Sequence, residues 1–403
     1  MKRDRVEELF YIRAICAFGI FIIHLSGSFA LSSSFGSRAM HFGIIINQFF
    51  RFGTPIFMML SGFVLFYNYR SFEEFDFGNF YRKKVKYILI PYILWSFLYY
   101  TILPYLLRTP FSHLLISFKG ILSAVNFDSI KFLKVISLGM AYPHLYFIFL
   151  IFQFYLLYPL FIKFLIKPMK EKPIIVFGVC AIIQGIILIY GFKFKFHSKY
   201  FIISFFNSYY WKSIFGWFYY FLTGGILALH YKKISQFIDR NIIKIFPVYM
   251  LSVLFYIGEV YDSIRKAGGR DFYEKYGSIR PTTIVYATFT MVILVWLSRK
   301  IVNSEFRYKN LIKGWGIYSL GIYFLHPFIL ELVKVKIINK YPSLGYDRVS
   351  TLIFLIVFGW TLTVTSVLVL SKLRFKNFIV GKVPSYKIFS AKLESRKKLE
   401  AEN

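Results

Sequence analysis

The apolar segments of this chain constrain its fold more than any other feature. Windows of about 20 apolar residues recur from one end to the other, and a segment of that length crosses a bilayer as an α-helix. Hydrophobic residues make up 57% of the chain and charged residues 17%, fewer than soluble domains carry. The sequence predicts an all-α integral membrane protein, a polytopic bundle of about ten transmembrane helices. The predicted spans are residues 10–31, 43–67, 87–107, 144–166, 173–190, 215–230, 243–258, 282–297, 316–332 and 351–370.

The lysines and arginines predict the orientation of the bundle. With the amino terminus in the cytoplasm, 30 of the 50 basic residues fall on the cytoplasmic side and 18 in the outer connections. Because cytoplasmic loops carry the excess of positive charge, this arrangement predicts a multi-pass protein of the cell membrane with both termini in the cytoplasm. We assign residues 1–372 to the membrane domain and residues 373–403 to a basic cytoplasmic tail.

Composition excludes several other classes of protein. A formal net charge of +31 would suggest nucleic-acid binding in a soluble protein. Here the basic residues lie between apolar spans, so we predict no nucleic-acid partner. Cys16 and Cys180 both lie within apolar spans, outside any C-x-x-C pattern, and we therefore predict neither a disulfide framework nor a metal site.

Arg13 and His24 are ionisable residues inside the first apolar span, where such residues are costly and usually functional. Their separation of eleven residues corresponds to three turns plus roughly 20°, so both side chains share one helix face, about 16 Å apart along the axis. Neutral imidazole can take a proton from a hydroxyl at physiological pH, which suits a general base in acyl transfer. The alternatives are a histidine hydrogen-bonded in the core and an arginine that extends its charge to the membrane surface.

The second span contains residues that favour a broken helix. Pro55 and the pair Ser61-Gly62 interrupt an otherwise apolar segment. In a bilayer, such breaks occur where freed backbone groups line a cavity inside the protein or are satisfied locally. Close helix packing through Gly53 and Gly62 explains the same residues without a catalytic role.

A basic cluster lies at the predicted inner mouth of the third span. It places four cations within five residues, which are Arg82, Lys83, Lys84 and Lys86. Such a cluster can bind the phosphates of a cytoplasmic donor such as coenzyme A. Ordinary anchoring of the span on the positive side of the membrane explains it equally well.

His326 is a second histidine inside an apolar span, and Pro327 follows it directly. Proline bends a helix and can open the preceding side chain toward a cavity, with Glu331 little more than one turn further on. A kinked helix in which His326 bonds to a neighbour is the structural alternative. His144, at the mouth of the fourth span, is a less specific candidate.

Five motifs, in this order along the chain, resemble a known family of membrane-bound O-acyltransferases called acyltransferase type three. The motifs are Arg13 to His24, Thr54-Pro55-Ile-Phe57 to Ser61-Gly62, the basic cluster before Pro91-Tyr92, His144-Leu-Tyr146-Phe-Ile, and Tyr323-Phe-Leu-His326-Pro327. The resemblance covers nearly the whole length, and residues 1–372 are identified as the acyltransferase type three transmembrane domain. It is strongest to the firmicute branch, which includes a membrane protein associated with poly-N-acetylglucosamine in biofilms.

The resemblance implies transfer of an acetyl or succinyl group from cytoplasmic acyl-coenzyme A, the donor substrate, to a hydroxyl of an extracytoplasmic glycan or glycolipid. It implies catalytic roles for His24 and Arg13, with His326 shaping the pocket or assisting proton transfer. The implied partners are membrane lipid, the glycan acceptor and a polysaccharide synthase. The donor phosphates are expected at Arg13 together with Arg82, Lys83, Lys84 and Lys86.

Two other functions remain open at this point. A non-catalytic exporter of a cell-surface polysaccharide such as poly-N-acetylglucosamine would also use many spans and buried histidines. The sequence shows neither an inverted repeat nor a matched pair of broken helices, which weighs against a proton-coupled transporter. A structural partner of a polysaccharide synthase leaves His24 unexplained.

Overall fold

The helices of the bundle are defined by a computed structural model. It describes residues 5–109, 127–191, 207–267, 277–338 and 345–382, together with residues 123, 125, 200 and 204. Within these residues the regular structure is entirely helical, as expected where backbone hydrogen bonds must be made inside each segment. The helices are α1 (Glu8–Ser32), α2 (Arg38–Phe49), α3 (Gly53–Asn68), α4 (Phe77–Arg108, with π-helical turns at Val85–Leu89 and Leu98–Ile102), α5 (Ser129–Ser137), α6 (Tyr146–Glu171), α7 (Pro173–Ile189), α8 (Phe218–Leu229), α9 (Tyr231–Ala267), α10 (Pro281–Val302), α11 (Lys309–Ile317), α12 (Ser319–Val333, continued by a π-helical turn Lys334–Ile338), α13 (Val349–Leu370) and α14 (Lys376–Ile379).

Several of these helices have the length and composition of membrane spans. Among the described residues, 7 helices qualify, and the number rises to 8 if α11 and α12, bent by 80° at their junction, form one span. This confirms the predicted all-α membrane bundle. The other two predicted spans correspond to the shorter apolar helices α7 and α8. A total of about ten spans therefore stays a prediction.

Helix α1 lies at the centre of the bundle. It packs against α2, α3, α10, α11, α12 and α13, and 16 of its 25 residues are buried. Most of its surface is therefore enclosed by protein and not by lipid. The ionisable side chains of α1 are consequently held among other helices, where their positions are defined by packing.

Glycines allow a close helix contact between α3 and α8. A Cβ atom at Gly62 would overlap the carbonyl of Phe221, and one at Gly224 would overlap the carbonyl of Met59. Small residues allow membrane helices to approach backbone to backbone. Gly62 therefore serves packing, which was the structural alternative for the second span.

The break in the second span lies earlier than the sequence pattern predicts. Helix α2 ends at residue 49 and α3 begins at residue 53, so the interruption falls at residues 50–52. Pro55 lies in the first turn of α3, where its missing N–H removes no helical hydrogen bond, and the Ser61 hydroxyl donates to the Phe57 carbonyl at 2.9 Å. The prediction of a break at Pro55 and Ser61-Gly62 is wrong, because each residue is accommodated within one continuous helix.

The predicted tail, residues 373–403, falls largely outside the described residues. Its first part forms α14, and the Trp95 indole of α4 donates a hydrogen bond to the carbonyl of Ile379 at 2.8 Å. Val380 is buried as well. The beginning of this segment thus packs against the bundle.

Candidate histidine site

Three histidines from distant parts of the chain meet inside the bundle. The ring centroid of His326 lies 5.2 Å from that of His24 and 5.5 Å from that of His144, and the His24 and His144 centroids are 6.2 Å apart. His144 and His326 are 3% and 1% exposed, whereas His24 is only partly buried. The structure therefore brings together the two histidines predicted for the site and adds His144, which the sequence marked by its place at the mouth of a span and by its motif in the family resemblance.

A tyrosine hydroxyl inserted into α12 positions His326. Pro327 has no N–H, and one residue further on the Phe328 N–H donates to the Tyr99 hydroxyl at 3.0 Å. The same hydroxyl donates to the Phe324 carbonyl at 2.7 Å, so it bridges two backbone groups of the turn that carries His326. Pro327 lies inside one continuous helix, Ser319–Val333. The kink expected at His326-Pro327 stays a prediction, and Tyr99 of α4 is the side chain that contacts this turn.

The imidazole nitrogens of the cluster are differently engaged. His326 Nδ1 lies 3.0 Å from the Ile322 carbonyl, and the His144 carbonyl accepts a hydrogen bond from the Tyr323 hydroxyl. Among the described residues, no hydrogen-bond partner contacts His326 Nε2 or either ring nitrogen of His144. Buried polar atoms of this kind need an explanation, and catalysis is one. Within the same residues, no group of three or more His, Cys, Asp or Glu side chains is arranged to hold a metal ion.

A cavity of about 340 Å³ connects His24 to the carboxyl-terminal end of α1. Its volume lies within the range of about 300–1,000 Å³ typical of small-molecule pockets. Two pairs of polar side chains line the cavity. The Tyr142 hydroxyl donates to the Glu331 carboxylate at 3.2 Å, and the Lys334 ammonium lies 3.5 Å from the Ser28 hydroxyl. The cavity therefore offers both charges and hydroxyls to a polar ligand that reaches His24.

Tyr346 lines the same cavity from the loop that precedes α13. Burial, and next the nearby Glu331 carboxylate, raises the pKa of Tyr346 above its ordinary value of 10.0, so the hydroxyl stays protonated and can donate. The Tyr346 carbonyl accepts a hydrogen bond from the Ser33 hydroxyl at 2.7 Å. This bond ties the loop to the end of α1.

A second charged cluster lies toward the amino-terminal end of α1. The Lys84 ammonium is 4.0 Å from the centre of the Tyr155 ring, and Arg13 interacts electrostatically with both side chains. Ser61 is hydrogen-bonded to the Tyr155 hydroxyl. Two cations held close together repel each other, and a bound anion would offset that repulsion. The cluster is suited to phosphate.

The basic cluster predicted from the sequence divides in the structure. Only Lys84 turns inward toward Arg13, while three neighbours are exposed: Arg82, Lys83 and Lys86. Consecutive helical residues point in different directions, because each advances about 100° around the axis. Donor binding by these four residues stays a prediction, with Lys84 distinguished from the other three by its surroundings.

Sequence reasoning missed Arg51. It lies in the break between α2 and α3, is 9% exposed, and interacts electrostatically with His24 and with Tyr146. The signal was present, because an arginine within a predicted span is costly in lipid. Without the fold, nothing connected Arg51 with the histidines.

The fold and the site together define a polytopic helical membrane protein with buried histidines and a cavity that reaches them. The chain belongs to the family whose model is described as "Acyltransferase domain", which matches residues 6–370. The resemblance to the acyltransferase type three family is thereby confirmed over nearly the whole chain.

Particular relatives are similar along nearly their full length. The "Probable poly-beta-1,6-N-acetyl-D-glucosamine export protein" of Staphylococcus aureus (strain MSSA476) is 25% identical over 396 residues, which cover 96% of this chain and 99% of the relative. The protein of the same name from Staphylococcus epidermidis is 26% identical over 399 residues, covering 96% and 97%. No solved structure matches this chain.

Proposed function

We propose that this protein is a membrane-bound O-acyltransferase that moves an acetyl or succinyl group from cytoplasmic acyl-coenzyme A to a hydroxyl of an extracytoplasmic glycan or glycolipid. One observation carries the proposal: α1 bears a cationic cluster toward one end and, about 16 Å further along its axis, a histidine at a cavity that opens toward the other end. Membership of the acyltransferase family supports the reaction class.

Donor binding is assigned to the amino-terminal end of α1. With both termini in the cytoplasm, Arg13 and Lys84 face the side on which acyl-coenzyme A is found, and their charges suit its phosphates. The exposed Arg82, Lys83 and Lys86 raise the local concentration of an anionic donor. The pantetheine arm then extends into the bundle and presents the thioester near His24.

Acyl transfer is assigned to the histidine cluster. His24 takes the proton of an acceptor hydroxyl that enters through the cavity, and the hydroxyl oxygen attacks the thioester carbon. The coenzyme A thiolate leaves and recovers the proton from His24. Because the Nδ1 of His326 faces the Ile322 carbonyl, its Nε2 is the nitrogen that remains to orient the acceptor or His24.

The acceptor is proposed from the names of the relatives. The printed names of the relatives connect those proteins with poly-β-1,6-N-acetyl-D-glucosamine, so we propose this glycan, or a lipid-linked precursor of it, as the acceptor. The same names support the second candidate function, export of the polysaccharide without catalysis. Against export, the family model that matches the chain describes an acyltransferase domain, whereas buried cations and histidines are expected of either function.

The deciding experiment uses purified protein in lipid nanodiscs. Acetyl- or succinyl-coenzyme A and a short β-1,6-N-acetylglucosamine oligomer are added to the solution, which reaches both faces of the disc, and mass spectrometry detects the ester on the oligomer. The expected result is ester formation by the wild type and none by His24→Asn. Absence of ester with both donors, together with loss of surface glycan in cells that lack the gene, would instead support the exporter.

A further inference from the structure

We propose that Arg51 is a catalytic residue that holds the thioester carbonyl oxygen as it gains negative charge, an inference that rests on the proposed function. Arg51 lies in the break between α2 and α3, residues 50–52, and is 9% exposed. A charged side chain buried in a membrane bundle usually marks a functional site. Arg51 is close enough to His24, the proposed base, to interact with it electrostatically.

A hydrogen-bond bridge ties Arg51 to the turn of α1 that carries His24. Arg51 Nε donates to Asn47 Oδ1 at 2.9 Å. Asn47 Nδ2 donates in turn to the Ile23 carbonyl at 2.7 Å and to the Ser26 hydroxyl at 3.3 Å, which lie on either side of His24 in sequence. One asparagine, itself fully buried, therefore positions the cation and the base relative to each other.

A second guanidinium, that of Arg280, holds Asn47 in place through Gln48. Arg280, at 0% exposure, donates to Gln48 Oε1 at 3.0 Å and to the Tyr256 carbonyl at 3.1 Å. Gln48 Nε2 donates to the same Asn47 oxygen at 3.2 Å. The direction of Arg51 is thus set before any substrate binds, which is the condition under which a charge stabilises a transition state well.

A tyrosine hydroxyl lies beside Arg51. In the first turn of α3, Thr54 is hydrogen-bonded to the Tyr146 hydroxyl, which also interacts electrostatically with Arg51. A negative oxygen placed beside Arg51 is therefore near both a guanidinium and a tyrosine hydroxyl.

The role of Arg51 follows from the electron flow of the reaction. The acceptor O–H bond breaks, its proton moves to His24, and the oxygen lone pair forms a bond with the thioester carbon. The π pair of the carbonyl moves onto the oxygen held by Arg51. When that pair returns, the C–S bond breaks and the coenzyme A thiolate takes the proton from His24. Arg51 supplies charge and neither gains nor loses an atom.

The test compares Arg51→Gln with the wild type in the nanodisc assay. Removal of one group that stabilises an oxyanion typically lowers kcat about 10²–10³-fold, so we expect a loss of that size with the dissociation constant of acyl-coenzyme A unchanged. Arg299→Gln is the matched control: it removes an arginine that pairs with Asp239 at 3.0 Å, away from the histidines, and should keep the wild-type kcat.

Two further variants distinguish a catalytic from a structural Arg51 if Arg51→Gln does not fold. Arg51→Lys retains the cation but not the planar fork, and we expect a measurable kcat below that of the wild type. In Arg51→Ala, added methylguanidinium should restore part of the kcat without changing the thermal midpoint, which a structural role would not produce. Wild-type kcat in folded Arg51→Gln or Arg51→Lys, or no rescue, overturns the role of Arg51 alone. An inactive wild type overturns the proposed function and this role with it.

Discussion

Removal of the Tyr99 hydroxyl tests whether this group positions His326. This hydroxyl accepts from the Phe328 N–H at 3.0 Å and donates to the Phe324 carbonyl at 2.7 Å, and so bridges the turn of α12 that carries His326. In Tyr99→Phe the ring keeps its stacking on Tyr142, with centroids 4.4 Å apart. Both backbone groups lose their partner.

The size of the effect follows from these two hydrogen bonds. A buried polar group left without a partner costs about 1–3 kcal/mol, so two such groups lower the free energy of unfolding by about 2–6 kcal/mol if the turn stays open. Phe324 and Phe328 are four residues apart, and the turn can instead close as an ordinary helical bond. Closure recovers most of that stability but changes the geometry of the turn and moves His326, and a displacement of about 1 Å can lower a rate on the order of 10²-fold.

The measurement combines the free energy of unfolding in bicelles with kcat in the nanodisc assay. Tyr100→Phe is the control, because its ring packs against Phe127 and Phe132 on a side away from His326. We expect Tyr100→Phe to lie within about 0.5 kcal/mol of the wild type and Tyr99→Phe to lose stability, kcat or both. If the two variants behave alike, the bridge does not position His326.

Three further predictions concern the base, the donor and the topology. His24→Asn should insert normally and bind acyl-coenzyme A, yet lose about 10²–10⁴-fold in ester formation, because an amide cannot take the proton. Arg13→Ala and Lys84→Ala should each weaken donor binding, and the wild-type affinity should fall as salt is added, in titrations at several salt concentrations. In intact cells, an impermeant maleimide should label Phe35→Cys but reach Glu74→Cys only after permeabilisation.

Controls distinguish a loss of function from a loss of the folded protein. Normal acylation by His24→Asn would exclude the general base, whereas loss of the folded protein would favour a structural histidine. Lys86→Ala, at an exposed site, should weaken donor binding less than Lys84→Ala, and unchanged affinity in all variants would remove the donor site. Cys16 and Cys180 are buried and give little background, so the opposite labelling pattern would reverse the orientation.

Most of the helices could be predicted from local sequence, together with the residues that share a face on each of them. Apolar length predicts a membrane helix directly, because hydrogen bonds made within one segment satisfy the backbone in lipid. The spacing of Arg13 and His24 likewise depends only on the helical repeat. Prediction was weaker where one residue is compatible with two structures. Pro55 can break a helix or lie in its first turn, and in the structure it lies in the first turn of α3.

The side chains that meet from different helices depend on the tertiary structure. The His144 ring packs near that of His326, Lys84 lies close enough to Arg13 to interact electrostatically, and Arg51 likewise interacts with His24. Each of these pairs depends on how helices cross, and the crossings depend on long-range fits such as Gly62 against the Phe221 backbone. The backbone hydrogen bonds of a helix are made within its own segment, so a helix can be predicted from local sequence. Packing between helices depends on residues far apart in the chain, and it determines which of the available side chains form a site.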